Sequence, residues 1–190
     1  MLFQALVDHC SPTLAGIKTG NLFPLHSEED DVIPEIRELN RTLVRNGLRM
    51  IPVKRDSQHT LIYVYRPERL QKDLALPEAE EILRKKGYPC GSSDRCVTCL
   101  MKHLASDAEF PHEIGLFLSY PPSDVKCFME DTSEGVQYVG CWKAYSNARE
   151  AEKTFESFRK CTAVYQTLAK KGRTLEQLIV HGGEPAAAIA

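Results

Sequence analysis

No stretch of this 190-residue chain approaches the 18 or so uninterrupted apolar residues that a membrane-spanning helix needs. The opening run Met1-Leu2-Phe3-Gln4-Ala5-Leu6-Val7 is apolar, but it has neither a positively charged start nor a small-residue cleavage site. A secretory leader is therefore not expected, and the protein is expected in the cytoplasm. Excess charge is absent too. Lys and Arg total 24 against 26 for Asp and Glu, a formal net charge of −2, so no electrostatic footprint for nucleic acid or an anionic membrane is present. The basic clusters Arg84-Lys85-Lys86 and Lys170-Lys171-Gly172-Arg173 fall where helices should end, and cations there complement the negative end of the helix dipole. There is no Gly-rich phosphate loop, no dinucleotide-binding glycine fingerprint, no nucleophile elbow and no H-E-x-x-H zinc motif. The seven cysteines, odd in number and without a leader, are expected as reduced thiols.

What is present is ordinary globular composition, 43% hydrophobic and 26% charged, in a length that suits one domain. Helical spacing recurs over 31–46, where Val32, Ile36, Leu39 and Leu43 share a face, Pro34 suits the first turn and Gly47 stops the run. Segments 77–86 and 93–105 show the same logic. The longest helix is expected at 147–171 and a short one at 174–180, the latter opening on a Thr174/Gln177 capping box. Segments 49–53 and 60–65 flank a polar turn and predict a hairpin. Residues 114–118 and 136–140 are two more expected strands, and 15–25 reads as extended, broken at Gly20. The element order predicts an α+β fold, one domain over 1–180, with a mostly antiparallel or mixed sheet covered by several amphipathic helices. Residues 181–190 read as a flexible tail.

Four segments concentrate chemistry. Around His9-Cys10 and through Lys18 to Asn21, a thiol lies near two cation-capable side chains, as an activated nucleophile requires; a buried, inert Cys10 explains the same residues. His112-Glu113 opens an apolar run and forms a workable acid–base pair, or else ties down loops. Cys141-Trp142-Lys143 includes the only tryptophan and suits a ligand wall, or core packing at a strand end. Finally, Cys96, Cys99 and His103 share one helix face and Cys90 precedes them. A tetrahedral zinc site would use these four, although the spacing matches no usual zinc or iron–sulfur pattern. The lone CxxC also lacks the βαβ context of thioredoxin-type chemistry.

The segments His-Cys-Ser-Pro-Thr-Leu-Ala-Gly-Ile-Lys at 9–18, Leu-Ile-Tyr-Val-Tyr-Arg at 61–66, Phe-Pro-His-Glu-Ile-Gly-Leu-Phe-Leu at 110–118, Tyr-Pro-Pro at 120–122 and Gly-Cys-Trp-Lys at 140–143 together resemble domain-of-unknown-function family 3793. The resemblance extends to about Val180. It implies a protein of mainly anaerobic bacteria and no established activity. It makes Cys10, Lys18, His112, Glu113, Cys141, Trp142 and Lys143 part of the family's defining segments, and it leaves the Cys90/Cys96/Cys99/His103 group outside them.

These residues set up two function classes and a third, blander one. In the first, a small thiol-dependent enzyme acts on a small, anionic ligand, with Cys10 as nucleophile or redox thiol, His112 and Glu113 as acid–base groups, and Lys18, Asn21, Cys141, Trp142 and Lys143 around the ligand. In the second, the same residues hold a small molecule or soft metal without catalysis. In the third, the chain is a structural partner protein. The first two expect the three family segments to share one pocket. Neither a cofactor nor an oligomeric state is indicated, and no nucleic-acid or membrane partner is expected.

Overall fold

The computed structural model describes residues 1–26, 32–56, 58–106, 110–130 and 135–181. The expected tail beyond His181 lies outside them. The chain has an α+β fold whose residues gather into two compact units, Met1–Arg69 with Phe158–Ala190, and Leu70–Ser157.

The first unit is built on an antiparallel meander of β1 (Gly20–His26), β2 (Arg49–Arg55) and β3 (His59–Tyr65), in the order β1-β3-β2. The expected hairpin is β2–β3. β3 is the central strand and the most buried; Pro24 and Pro52 lie on the two flanking strands, where a missing N–H costs least. The pairing of β2 slips between Pro52 and Lys54. Helix α1 (Leu2–Leu14) packs on β1 and β3, and α2 (Ile33–Arg45) packs on β2. As its sequence predicts, α2 starts with proline in its first turn and ends where Gly47 takes a positive φ of 73°, a conformation that suits glycine. The core joins Leu2, Leu6, Leu14, Phe23, Leu43, Met50 and Ile62 to Cys161, Leu175 and Leu178 near the C-terminus.

Four clusters of polar contacts hold this unit together. The Arg66 guanidinium, largely buried, donates through Nε to the Thr13 carbonyl (2.8 Å) and through its terminal nitrogen to the carbonyls of Leu14 (2.8 Å) and Val180 (2.9 Å). Two of these are carbonyls at the C-terminal end of α1, which have no partner within the helix. Arg69 donates to the Gly16 carbonyl. The amides of Ile17 and Lys18 return to the Pro12 carbonyl at 3.0 and 3.1 Å, and the Val180 amide reaches Leu14 at 3.0 Å. The turn passes through Gly16 at φ 76°.

The second unit begins in α3 (Pro67–Leu74) and continues through α4 (Pro77–Lys85), α5 (Ser93–Ala105), α6 (Ile114–Phe117) and α7 (Pro122–Met129). A small hairpin of β4 (Tyr138–Val139) and β5 (Lys143–Ala144) follows. Helix α8 (Ala148–Lys170) starts in this unit and runs on into the first; α9 (Leu175–Leu178) ends the described helices and carries the expected capping box. On α4, which packs with α7, ion pairs Glu80–Arg84 and Glu81–Lys85, both 2.6 Å, sit at the i,i+4 spacing that supports a helix.

Two expected strands differ. Residues 114–118 form α6 and its cap instead of a strand. A short, continuous apolar run fits a buried helix as well as a buried strand, and here Leu116 and Leu118 bond back to Glu113 and Gly115 at 3.0 and 3.1 Å. Ser119 at φ 58° ends the turn, and the Tyr120 amide closes on the Gly115 carbonyl at 3.0 Å. The expected strand 136–140 shortens to the two residues of β4, because Gly140 already turns the chain, its amide bonded to the Trp142 carbonyl at 3.0 Å. The extended reading of 15–25 holds only from Gly20 onward.

Candidate functional site

The second unit contains a cavity of about 420 Å³ lined by Phe110, His112, Ile114, Gly115, Tyr120, Asp124, Val125, Phe128 and the hairpin residues 139–143. Three features of the sequence create it. Gly115 is there because a Cβ would stand 2.8 Å from Val125 and 3.0 Å from Tyr120. Gly140 is there because a Cβ would meet the Phe155 ring at 2.2 Å. Trp142 is then held edge-to-face on Phe155, ring centres 4.4 Å apart, with Tyr120 at 5.0 Å; such aromatic contacts add to simple burial.

Asp124, in the first turn of α7 and buried, organises the hairpin. Its Oδ2 accepts the indole N–H of Trp142 at 2.9 Å. Its Oδ1 accepts the amides of Tyr145 (3.0 Å) and Ser146 (3.2 Å) and the Ser146 hydroxyl (3.1 Å). The carboxylate that lines the cavity is thus engaged by four donors, and Lys143 and His112 are left as the cation-capable side chains among the described lining residues. Lys143 Nζ lies 5.4 Å above the Phe128 ring, and His112 meets the same ring edge-to-face at 5.0 Å. Phe110, Phe128 and Val139, three of the cavity's lining residues, are 47%, 38% and 66% exposed. That leaves an apolar rim in water, of the kind that marks interaction sites. Cys141 is exposed at the same hairpin. Burial raises the Tyr120 phenol to about 12, so its hydroxyl stays protonated at neutral pH.

Of the residues expected at a site, His112, Cys141, Trp142 and Lys143 line this one cavity. Glu113, next to His112, is 3% exposed and belongs to a different cluster of the same unit. Its Oε1 accepts the Tyr88 hydroxyl at 2.9 Å and lies 3.3 Å from His103 Nδ1. The other ring nitrogen, His103 Nε2, is 3.7 Å from Cys99 Sγ. Cys96 is buried, its Sγ turned to the Pro89 carbonyl at 3.5 Å, and its thiol is raised to about 11 by burial and by the neighbouring Cys90 and Cys99. Cys90 faces the carbonyls of Tyr88 and Glu80 at 3.6 and 3.8 Å. Among the described residues no group of three or more His, Cys, Asp or Glu side chains is placed to hold a metal ion; Cys99 and His103 face each other, while Cys90 and Cys96 face backbone carbonyls.

The remaining expected residues belong to the first unit. Cys10 is fully buried in its core; burial drives its thiol pKa far up, and only the charge of Lys18 opposes this. Lys18 is 5% exposed, with Nζ 5.5 Å above the Phe158 ring. The Asn21 carbonyl oxygen accepts the Thr13 hydroxyl at 2.8 Å, tying β1 to the end of α1. Sequence reasoning missed Asp124, Tyr88 and Arg66. For Asp124 a signal exists, an acid in the first turn of a helix opened by Pro121-Pro122; for Tyr88 and Arg66 there is none, since their partners are distant in sequence.

A family model described as "Protein of unknown function (DUF3793)" matches residues 6–179. Neither the curated proteins nor the solved structures give a match.

Proposed function

The chain belongs to the DUF3793 family, and from the geometry of its second unit we propose that it binds a small, planar, anionic molecule. One observation carries this reading: a mostly apolar cavity walled by Trp142, Tyr120 and Phe128 has Lys143 and His112 as its cation-capable groups. Pockets of this size and lining, with a few convergent polar groups, are the usual form of a small-molecule site. The indole face offers stacking, and the lysine offers the charge that orients an anion. Asp124 does not repel such a ligand as a bare carboxylate would, because its oxygens already accept four hydrogen bonds.

A catalytic reading centred on Cys10 has less support. A nucleophile must be available as thiolate, and Cys10 is sealed in a core that favours the neutral thiol. The setting we infer is the reducing cytoplasm of a bacterium, in keeping with seven cysteines held as thiols and not joined in disulfides; no described helix is long and apolar enough to cross a membrane.

Trp142 is the only tryptophan, so it reports on the cavity without interference. Anilinonaphthalene sulfonate, an aromatic anion, should quench its emission saturably at one per chain. Lys143→Ala should weaken that binding about fivefold, the worth of roughly 1 kcal/mol from a partly exposed ion pair. Uncharged anilinonaphthalene should be indifferent to the same substitution. Equal binding of the sulfonate by wild type and Lys143→Ala would remove the anionic assignment, and no quenching by either dye would remove the site.

A further inference from the structure

We propose that the second unit carries a separate thiol–disulfide exchange centre, with Cys99 as the attacking thiol, His103 as its base, Glu113 as the group that orients the base, and Cys96 as the resolving thiol. This centre is distinct from the aromatic cavity and independent of its ligand.

The argument is geometric. An activated thiol needs a base within reach and a third group that fixes the base. Helix α5 supplies the first pair by spacing alone, since Cys99 and His103 are one turn apart on one face, and Cys99 Sγ lies 3.7 Å from His103 Nε2. Glu113 reaches His103 Nδ1 at 3.3 Å from the opposite side of the ring. The buried carboxylate is itself fixed by the Tyr88 hydroxyl at 2.9 Å, and the Tyr88 ring meets the imidazole edge-to-face at 4.8 Å. With Glu113 on Nδ1, the tautomer that leaves Nε2 free to accept a proton faces the sulfur. A purely structural histidine does not require a carboxylate on one nitrogen and a thiol on the other. Cys99 and the His103 side chain are partly exposed, so a disulfide in solution can reach them, whereas Cys96, three residues earlier on the same helix, is sheltered.

The reaction balances without any further reagent. His103 takes the Cys99 proton, and the sulfur attacks one sulfur of a low-molecular-weight disulfide. The S–S bond breaks, and the departing thiolate takes the proton from His103 and leaves as a thiol. A mixed disulfide now occupies Cys99. Cys96, three residues away, then attacks Cys99 Sγ, its proton passing to the departing small thiolate. The second small thiolate leaves as a thiol, carrying the proton that Cys96 gave up, and a Cys96–Cys99 bond remains. One disulfide is reduced to two thiols while the protein's dithiol is oxidised to a disulfide. Closing that bond requires local tightening of α5, because i,i+3 side chains start roughly 5–6 Å apart and a disulfide needs Cβ atoms about 4 Å apart.

The test uses the reduced full chain and glutathione disulfide, read by peptide mapping and by the rate of glutathione release. Wild type should release two glutathiones per chain and show a Cys96–Cys99 link. Cys96→Ser should release one and stop with glutathione on Cys99. His103→Gln should slow the first step near neutral pH about 100-fold, the usual contribution of a positioned base, and shift its rate profile toward higher pH; Glu113→Gln should shift it in the same direction. Cys99→Ser, with unchanged circular dichroism, should abolish the fast release and leave only the slow exchange of other accessible thiols such as Cys141. Glutathione appearing on exposed Cys141 with Cys99 untouched, or a His103→Gln rate equal to wild type in a folded protein, would overturn the proposal. Mixed disulfide on Cys99 in wild type that never resolves would overturn the role of Cys96.

Discussion

The two units treat chemically capable residues in opposite ways. In the first, Cys10, Lys18, Asn21 and Arg66 all sit within or against the core, and the side-chain hydrogen bonds of Asn21 and Arg66 run to a hydroxyl and to carbonyls of the same unit. In the second, Lys143, Cys141, His112, Cys99 and His103 face a cavity or solvent, while Asp124 and Glu113 sit behind them, buried and hydrogen-bonded. The family's motifs therefore serve two purposes. The 9–18 segment closes a helix and accepts the Val180 amide; the 110–122 and 140–143 segments wall the cavity. A motif rich in reactive residue types is not by itself a reactive site, since burial decides whether a thiol or an amine can do chemistry.

The sharpest way to break this contrast is Arg66. If the first unit's polar groups are structural, Arg66→Ala removes three hydrogen bonds from a charged donor, two of them to the carbonyls at the end of α1. Bonds of this kind contribute about 1.5–3 kcal/mol each, not additively, so the urea midpoint should fall by the equivalent of about 3–5 kcal/mol, a large part of a domain's stability. A loss below about 1 kcal/mol would mean that Arg66 is held for something other than the fold. Gly140→Ala tests the other side at smaller scale. The added Cβ collides with Phe155, and overpacking of this sort costs about 1–3 kcal/mol. Because Trp142 leans on the same ring, its emission should change and the cavity's dye binding should fall, while the first unit's helix signal is unaffected.

Much of the architecture was legible because its signals are local. Proline at the start, acids early, bases late and glycine past the end marked α2 and α4, and the Thr174/Gln177 pair marked α9; each depends on neighbours within a turn or two. The run Ile114–Leu118 was misread since every residue in it is buried, and burial on all sides erases the period that separates helix from strand. Within the site, residue type picked out His112, Cys141, Trp142 and Lys143, which do line one cavity. It did not show that Glu113 would face away from that cavity toward His103 and Tyr88. Nor did it show that Asp124 would organise residues 18 to 22 positions away. These are tertiary facts, carried by no spacing along the chain. The same holds for Cys10, whose neighbours His9 and Lys18 suggest activation while its burial opposes it.

The smallest expected effect concerns the buried thiols of the first unit and is a matter of sign. Burial raises Cys161 from an ordinary value near 9 to about 12, and Cys10 rises in the same direction. Below pH 9 both the folded and unfolded chains hold these thiols protonated, so they add nothing that varies with pH. Between pH 9 and about 12 the unfolded chain releases the protons and the folded chain does not, which favours unfolding and makes stability fall as pH rises. Cys161→Ala deletes one such group. At pH 8 the variant should be less stable than wild type, because it leaves a small cavity in the core. By pH 10 that deficit should shrink by about 1 kcal/mol, since only the wild type still suffers from the thiol's ionisation in the unfolded state. Paired urea titrations at the two pH values give the difference directly, and the other titrating groups cancel in it. A deficit that stays constant from pH 8 to pH 10 would mean that Cys161 ionises in the folded protein as readily as in the unfolded chain, and the picture of a sealed first unit would have to be given up.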